Sequence, residues 1–260
     1  MKVVILCGGM GTRLREETEF IPKPMVEIGG KPILWHIMKI YAHYGHKEFI
    51  LCLGYKGEMI KEYFLNYEAM NNDFTIQLGS PNKIDFRSNH AEDGWRVTLA
   101  DTGEMAMTGS RIKQVEKYID DDEFMATYGD GLADINLNEL LSLHHKQKRV
   151  ATLTGVHPLS RFGEVIEERG IVKEFIEKPQ LSEGYINGGF FVFNRKFFNY
   201  LSADNNCVLE KQSLEQLTKE QQLSIYPHKG FWQCMDTYRD YKYLQEIWQG
   251  GNAPWKIWKK

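Results

Sequence analysis

The chain has 260 residues, 42% of them hydrophobic and 26% charged, the make-up of a soluble globular protein able to bury a full core. A formal net charge of −3 supplies no basic field for nucleic acid, and no apolar stretch is long enough to span a bilayer. Four scattered cysteines with no Cys-x-x-Cys pair exclude a zinc ribbon, argue against a disulfide scaffold, and suit reduced thiols in a cytoplasmic enzyme.

The first element is the clearest. Val3-Val4-Ile5-Leu6 is a β-branched apolar run without alternation, as expected of a parallel strand buried on both faces, and it runs into Gly8, Gly9 and Gly11. Helical spacing then covers 32–44 (Ile33, Leu34, Ile37, Ile40, Tyr41), with Pro32 near the first turn. Residues 49–53 read as a second apolar strand and 56–67 as another helix. This strand–helix–strand rhythm predicts a right-handed, doubly wound, mostly parallel α/β sheet of Rossmann-like type. Residues 71–94 are polar and carry no motif. A strand over 95–100 leads into Asp101-Thr102-Gly103, a helix is expected over 112–118, and a strand over 123–128 ends at Gly129-Asp130-Gly131. A helix over 137–146 and a strand over 151–156 follow.

From Phe162 the rhythm changes. Short strands near 164–168, 171–176 and 190–193, separated by Gly and Pro turns, predict hairpins added to the main sheet. Helical segments near 210–219 and 238–248 close the chain. With no repeat, low-complexity tract or linker, the expectation is a single domain over 1–260.

The glycine loop narrows the chemistry. Glycines after a buried strand let the backbone approach a ligand and turn N–H groups toward phosphate. A Walker loop needs Gly-Lys-Ser/Thr, whereas this loop ends Gly11-Thr12-Arg13. A dinucleotide fingerprint needs a third glycine where Leu14 stands. What remains is a glycine loop followed by an arginine and then Pro22-Lys23-Pro24. Prolines on both sides stiffen the backbone from which Lys23 hangs, and a stiffly held cation suits charge stabilisation at phosphorus.

Leu6 to Leu14 together with Pro22-Lys23-Pro24 resembles the signature of the sugar nucleotidyltransferases, the nucleoside-diphosphate-sugar pyrophosphorylases. Further motifs stand in that family's order across nearly the whole chain: Gly129-Asp130-Gly131, Arg161-Phe162-Gly163, Glu177-Lys178-Pro179, Ile186-Asn187-Gly188-Gly189, and Trp232 to Asp236. Within the family, Met25 to Met38, Asp101-Thr102-Gly103, Met107 to Arg111, Gly230 to Gln233 and Ala253 to Lys256 look like the members that use CTP and glucose 1-phosphate. Asp101-Thr102 stands where thymidylyl-transferring members usually carry Gln-Pro, which favours cytosine.

The resemblance implies the nucleotide-diphospho-sugar transferase fold and a set of roles. Leu6, Gly8, Gly9, Met10, Gly11, Thr12, Thr102, Gly103, Arg111 and Gly129 would bind the nucleotide. Arg13 would grip the triphosphate with its planar fork, and Lys23 would balance charge at the attacked phosphorus. Tyr128, Gly163, Glu177, Lys178, Asn187 and Gly188 would bind the sugar phosphate. Asp130 and Asp236 would hold Mg²⁺, a hard ion that takes few protein carboxylates. A homo-oligomer is implied as well, with 71–94 shaping the nucleotide pocket or touching a neighbouring subunit.

The bland readings are turn aspartate for Asp130, helix cap for Asp236, solvent-facing helix end for Arg111, and core or subunit-contact residues for Trp248, Trp255 and Trp258. The histidines show no metal spacing. The residues also leave open UTP or dTTP as donor, or a sugar-nucleotide-binding protein without catalysis.

Overall fold

A computed structural model describes residues 1–11, 14, 20–79, 83–87, 92–157, 164–176 and 184–258. Strand β1 (Lys2–Leu6) is followed by the short pair β2 (Glu27–Ile28) and β3 (Lys31–Pro32), helix α1 (Ile33–His43), β4 (Glu48–Leu53), α2 (Gly57–Leu65) and α3 (Tyr67–Asn71). Next come β5 (Phe74–Ile76), β6 (Ile84–Phe86), β7 (Arg96–Asp101), α4 (Thr108–Gln114), β8 (Glu123–Tyr128), β9 (Gly131–Ala133), α5 (Leu137–Gln147) and β10 (Ala151–Val156). The last part holds β11 (Glu164–Glu168), β12 (Ile171–Ile176), β13 (Ile186–Asn187), β14 (Phe191–Asn194), α6 (Leu214–Lys219), β15 (Leu223–His228), β16 (Trp232–Cys234) and α7 (Tyr238–Gln249).

The main sheet runs β7-β4-β1-β8-β14-β10, with β13 beside the far end of β10 and β15 on its outer edge. Strands β7, β4, β1 and β8 are mutually parallel, in the reversing order expected of a doubly wound fold. Chain order reverses at β1, between β4 and β8, and open α/β sheets bind ligands outside the carboxyl ends of strands at such a switch. Those ends are Leu6 and Tyr128, paired in register.

Val3, Val4 and Ile5 have no exposure, so both faces of β1 are covered. Val3 and Ile5 join a cluster with Ile33, Ile37, Tyr41 and Trp255. Val4 joins one on the other face with Ile112, Phe193 and Phe197. Fully burying each such side chain stabilises the fold by about 1.5–3 kcal/mol. Helix α1 begins directly after Pro32, whose missing N–H costs nothing at a helix start. Trp255 is fully buried, and the half-buried Trp248 and Trp258 pack against the same cluster.

Several expectations change. Phe191–Asn194 is not part of an added hairpin. It lies inside the main sheet, antiparallel to both β8 and β10. Among the described residues there, only β11–β12 forms a separate hairpin. The helix expected over 112–118 starts at Thr108 and gives way to a 3-10 turn, Glu116–Tyr118. The segment from Leu209 begins as a π-turn, Leu209–Ser213, before α6. Strand β15 and the β9–β16 pair were not foreseen, nor was the short hairpin β5–β6 within 71–94.

Candidate active site

Two carboxylates and one ammonium meet beside the switch point. Lys23 Nζ lies 2.6 Å from Asp130 Oδ2 and 2.6 Å from Asp236 Oδ1. Local structure explains each position. Pro22 is extended, and Lys23 opens a 3-10 turn closed by bonds from Met25 N to Pro22 O and from Val26 N to Lys23 O, with Pro24 buried beneath. Asp130 links β8 to β9. Strand β16 pairs with β9, and Met235 N donates to Asp130 O at 2.9 Å, so Asp236 arrives opposite Asp130.

Asp236 is not the helix cap. Thr237 caps α7 in a capping box with Asp240, whose carboxylate also accepts from the backbone N–H of Asp236. That leaves the Asp236 side chain turned to Lys23. Burial alone pulls the Lys23 pKa down, but Asp130 and Asp236 together overcome it and raise it above the ordinary lysine value. The ammonium therefore stays charged throughout the physiological range.

The glycine loop is pinned to its surroundings. Gly129 N donates to Leu6 O at 3.0 Å, Cys7 N to Cys52 O at 3.0 Å, and Tyr55 N to Gly8 O at 3.3 Å. Gly8 is buried, Gly9 and Met10 are exposed, and Gly11 has φ 62°, a backbone angle that favours glycine. Cys7 fits as a fully buried small thiol at the strand end.

Arg111 is not solvent-facing. It is 4% exposed, and its guanidinium donates to Gly8 O, Leu53 O, Thr102 Oγ1, Gly103 O and Glu104 O at 2.8–3.0 Å. One side chain thus ties the glycine loop to the ends of β4 and β7. Thr102 itself donates from Oγ1 to Leu53 O at 2.6 Å, and Gly103, with φ 82°, follows directly. Burial lowers the Arg111 pKa, with Cys52 and Cys7 opposing.

A second polar group gathers around Tyr128, two residues before Asp130. The Tyr128 hydroxyl donates to Glu210 Oε1 at 2.5 Å and accepts from Asn187 Nδ2 at 3.0 Å. Gly189 N donates to Asn187 Oδ1, and Trp232 Nε1 donates to Gly188 O at 2.8 Å. The structure therefore brings Lys23, Asp130 and Asp236 together. It gathers Gly8, Thr102, Gly103 and Arg111 into one group, and Tyr128 and Asn187 into another. Thr12, Arg13, Gly163, Glu177 and Lys178 lie outside the described residues. Sequence reasoning missed Glu210, which sits in no recognisable motif. It also missed Asp240, although Thr237-x-x-Asp240 has capping-box spacing.

As for a metal, the donors are hard oxygens and they already converge on one positive charge, so Asp130 and Asp236 fit a magnesium ion. Among the described residues no three metal-ligating side chains gather.

A glycine loop at the switch of a doubly wound sheet, facing a cation and two carboxylates, defines a class of proteins that handle nucleoside phosphates. The chain belongs to the nucleotidyl transferase family, whose model matches residues 2–245. Over its full length it is 48% identical to the glucose-1-phosphate cytidylyltransferase of Salmonella typhimurium, all of which is covered. It is also 48% identical to the probable glucose-1-phosphate cytidylyltransferase of Bacillus subtilis, with 99% of this chain and 100% of that protein aligned. Among solved structures, HddC from Yersinia pseudotuberculosis, complexed with GMP-PN, superposes with a TM-score of 0.68 at 24% identity. That match covers 95% of this chain and 99% of the other, and bears on the fold.

Proposed function

We propose that this chain transfers the cytidylyl group of CTP to α-D-glucose 1-phosphate, giving CDP-glucose and pyrophosphate. The observation that carries the reaction class is Lys23 bridging Asp130 and Asp236 at the sheet switch. The choice of substrates rests on the full-length likeness to glucose-1-phosphate cytidylyltransferases. In this reading the whole chain works as one domain, with residues 1–135 chiefly serving the nucleotide and 136–260 chiefly the sugar.

The chemistry is an in-line displacement. A phosphate oxygen of the sugar attacks the α-phosphorus, the bond to the β-phosphate bridging oxygen breaks, and pyrophosphate leaves with that electron pair. The attacking phosphate is already ionised, so no general base is required. Catalysis comes from positioning and charge neutralisation. Gly8, Gly9, Met10 and Gly11 offer backbone N–H groups to the nucleotide, with Leu6, Thr12 and Gly129 completing that wall. Thr102 and Gly103 border the base, and Arg111 holds that border. Arg13 grips the triphosphate, and Lys23 offsets charge on the pentacoordinate phosphorus. Tyr128, Asn187, Gly188, Gly163 and Glu177 hold the sugar, and Lys178 its phosphate. Asp130 and Asp236 would hold magnesium, which would supply positive charge to the phosphates.

The same reading includes a cytoplasmic homo-oligomer. Four free cysteines support a reducing setting. The hairpins β5–β6 and β11–β12 expose Phe74, Phe86, Val172 and Phe175, apolar surface suited to burial against other copies of the chain.

Isotope exchange between pyrophosphate and triphosphate, run with CDP-glucose and its uridine and thymidine counterparts with and without magnesium, tests the proposal. Exchange confined to the cytidine pair and dependent on magnesium is expected. Exchange confined to uridine or thymidine would overturn the base assignment, and none with any pair would overturn the activity.

A further inference from the structure

Glu210 has no role in the reading above, yet it closes the polar network that the sugar-binding side presents. Every bond in the network has its direction fixed. Gly189 N donates to Asn187 Oδ1, which turns the amide nitrogen toward Tyr128. The phenol accepts that N–H and sends its own proton to Glu210 Oε1. Thr108 Oγ1 donates to Glu210 Oε2 at 2.9 Å and accepts from Leu209 N at 3.0 Å. An ionised carboxylate only accepts, so both hydroxyl protons must point at it. The alternative rotor positions of Tyr128 and Thr108 are removed.

The geometry points to Glu210 as a positioning residue that sets the hydrogen-bond polarity of the sugar pocket. With its proton committed, Tyr128 shows substrate only a lone pair, while Asn187 keeps a second N–H. A sugar hydroxyl that donates to the phenol oxygen and accepts from that amide matches the pair. A deoxy or fluoro replacement leaves one or both groups unpaired, which is where hydrogen-bonding sites discriminate most strongly. The inference rests on the proposed sugar-binding role of Tyr128 and Asn187.

The local backbone is built for this placement. Glu210 lies on a π-turn, a feature common at functional sites, between fully buried Leu209 and Ser213. The chain before it is latched to the start of α4. Met107 N donates to Asn205 O, and Gly109 N and Ser110 N both donate to Cys207 O. Helix α4 carries Arg111, so one carboxylate links the sugar side to the helix that braces the nucleotide side.

Steady-state kinetics of Tyr128→Phe, Glu210→Gln and the double variant, each with CTP, magnesium and glucose 1-phosphate, test the assignment. Glu210→Gln is expected to raise the KM for glucose 1-phosphate about tenfold, the size of one lost hydrogen bond, while leaving the KM for CTP within about twofold. The double variant should be no worse than Tyr128→Phe, because the two residues act as one unit. If Tyr128→Phe raises the sugar phosphate KM but Glu210→Gln does not, or if the two losses multiply, the role of Glu210 is overturned. If Tyr128→Phe leaves that KM unchanged, the sugar-binding reading itself fails. Should Glu210→Gln not fold, Glu210→Asp carries the same test: a loss confined to glucose 1-phosphate is expected, and equal losses for both substrates would overturn the proposal.

Discussion

Among the described residues, half-buried Lys23 and buried Arg111 lie near the glycine loop, and the molecule treats the two cations differently. Lys23 faces two full negative charges, whereas Arg111 faces four backbone carbonyls and a hydroxyl. Burial pulls both pKa values down. At Lys23 the carboxylates more than reverse the effect, but at Arg111 nothing does. In the proposed mechanism formal charge is exchangeable, since a metal ion would take the place of the ammonium between Asp130 and Asp236. Five directed contacts to fixed oxygens are not. In the proposed mechanism the first region serves chemistry, and the second holds shape.

Substitution of each cation puts that contrast to the test. Lys23→Ala is expected to lower turnover about 100- to 1,000-fold, the scale of removing one preorganised charge stabiliser. Its melting temperature in magnesium should stay close to that of the parent protein, because a divalent ion can occupy the space between the carboxylates. Arg111→Lys keeps the charge but loses the planar fork. It should cost about 2–3 kcal/mol of stability with or without magnesium, read by thermal melting. Equal melting losses in magnesium for the two variants would erase the distinction between the regions.

A third buried basic group sharpens the comparison by being neutral. Burial lowers the His36 pKa to about 4, although its Nε2–H donates to Ile28 O. Its Nδ1 accepts from Trp255 Nε1 at 3.4 Å, which requires that tautomer. The folded value lies below the unfolded value of about 6.5, so His36 favours folding fully above that pH. Its contribution is lost as pH falls toward 4. Going from pH 7 to pH 5 should cost about 2 kcal/mol through this residue. Lys23 has the opposite sign: its raised pKa makes its contribution constant through neutral pH and lost only in strong alkali. A His36→Gln variant should show a flatter melting profile between pH 7 and 5. An unchanged slope would show that other groups dominate there.

How far the sequence revealed these regions depends on the kind of signal each carries. Strand β1, the loop behind it and the stiffened Lys23 were legible because apolar runs, glycines and prolines act locally. The meeting of Asp130 with Asp236 was suggested only by family order, since it depends on β16 pairing with β9 across about a hundred residues. The five contacts of Arg111 were not legible, because a helix-end arginine ordinarily faces solvent and nothing local marks this one as buried. In the fold Gly109 opens a helix, and a Cβ there would lie 2.8 Å from Cys207 Sγ, a contact invisible in one dimension. Strand β15 escaped because Pro227 argues against a central strand. It is tolerated there because, among the described residues, β15 pairs only with β10, on the sheet edge. The insertion of β14 between β8 and β10 depends on long-range pairing that no local pattern records.

The guanidinium of Arg111 also limits how this loop can diverge. A methyl group on Gly8 would stand 2.1 Å from its Nη1, and one on Gly54 2.5 Å from the same atom. Neither glycine can gain a side chain while the arginine stays. Loss of the arginine, in turn, opens a void beside both and removes the side chain that joins Gly8 O, Leu53 O and Thr102 Oγ1. Gly8 and Arg111 are therefore an epistatic pair, which a laboratory search for altered base preference should vary jointly, whereas a methyl group on Gly54 would also meet Gly8 O at 2.8 Å and stays excluded with or without the arginine.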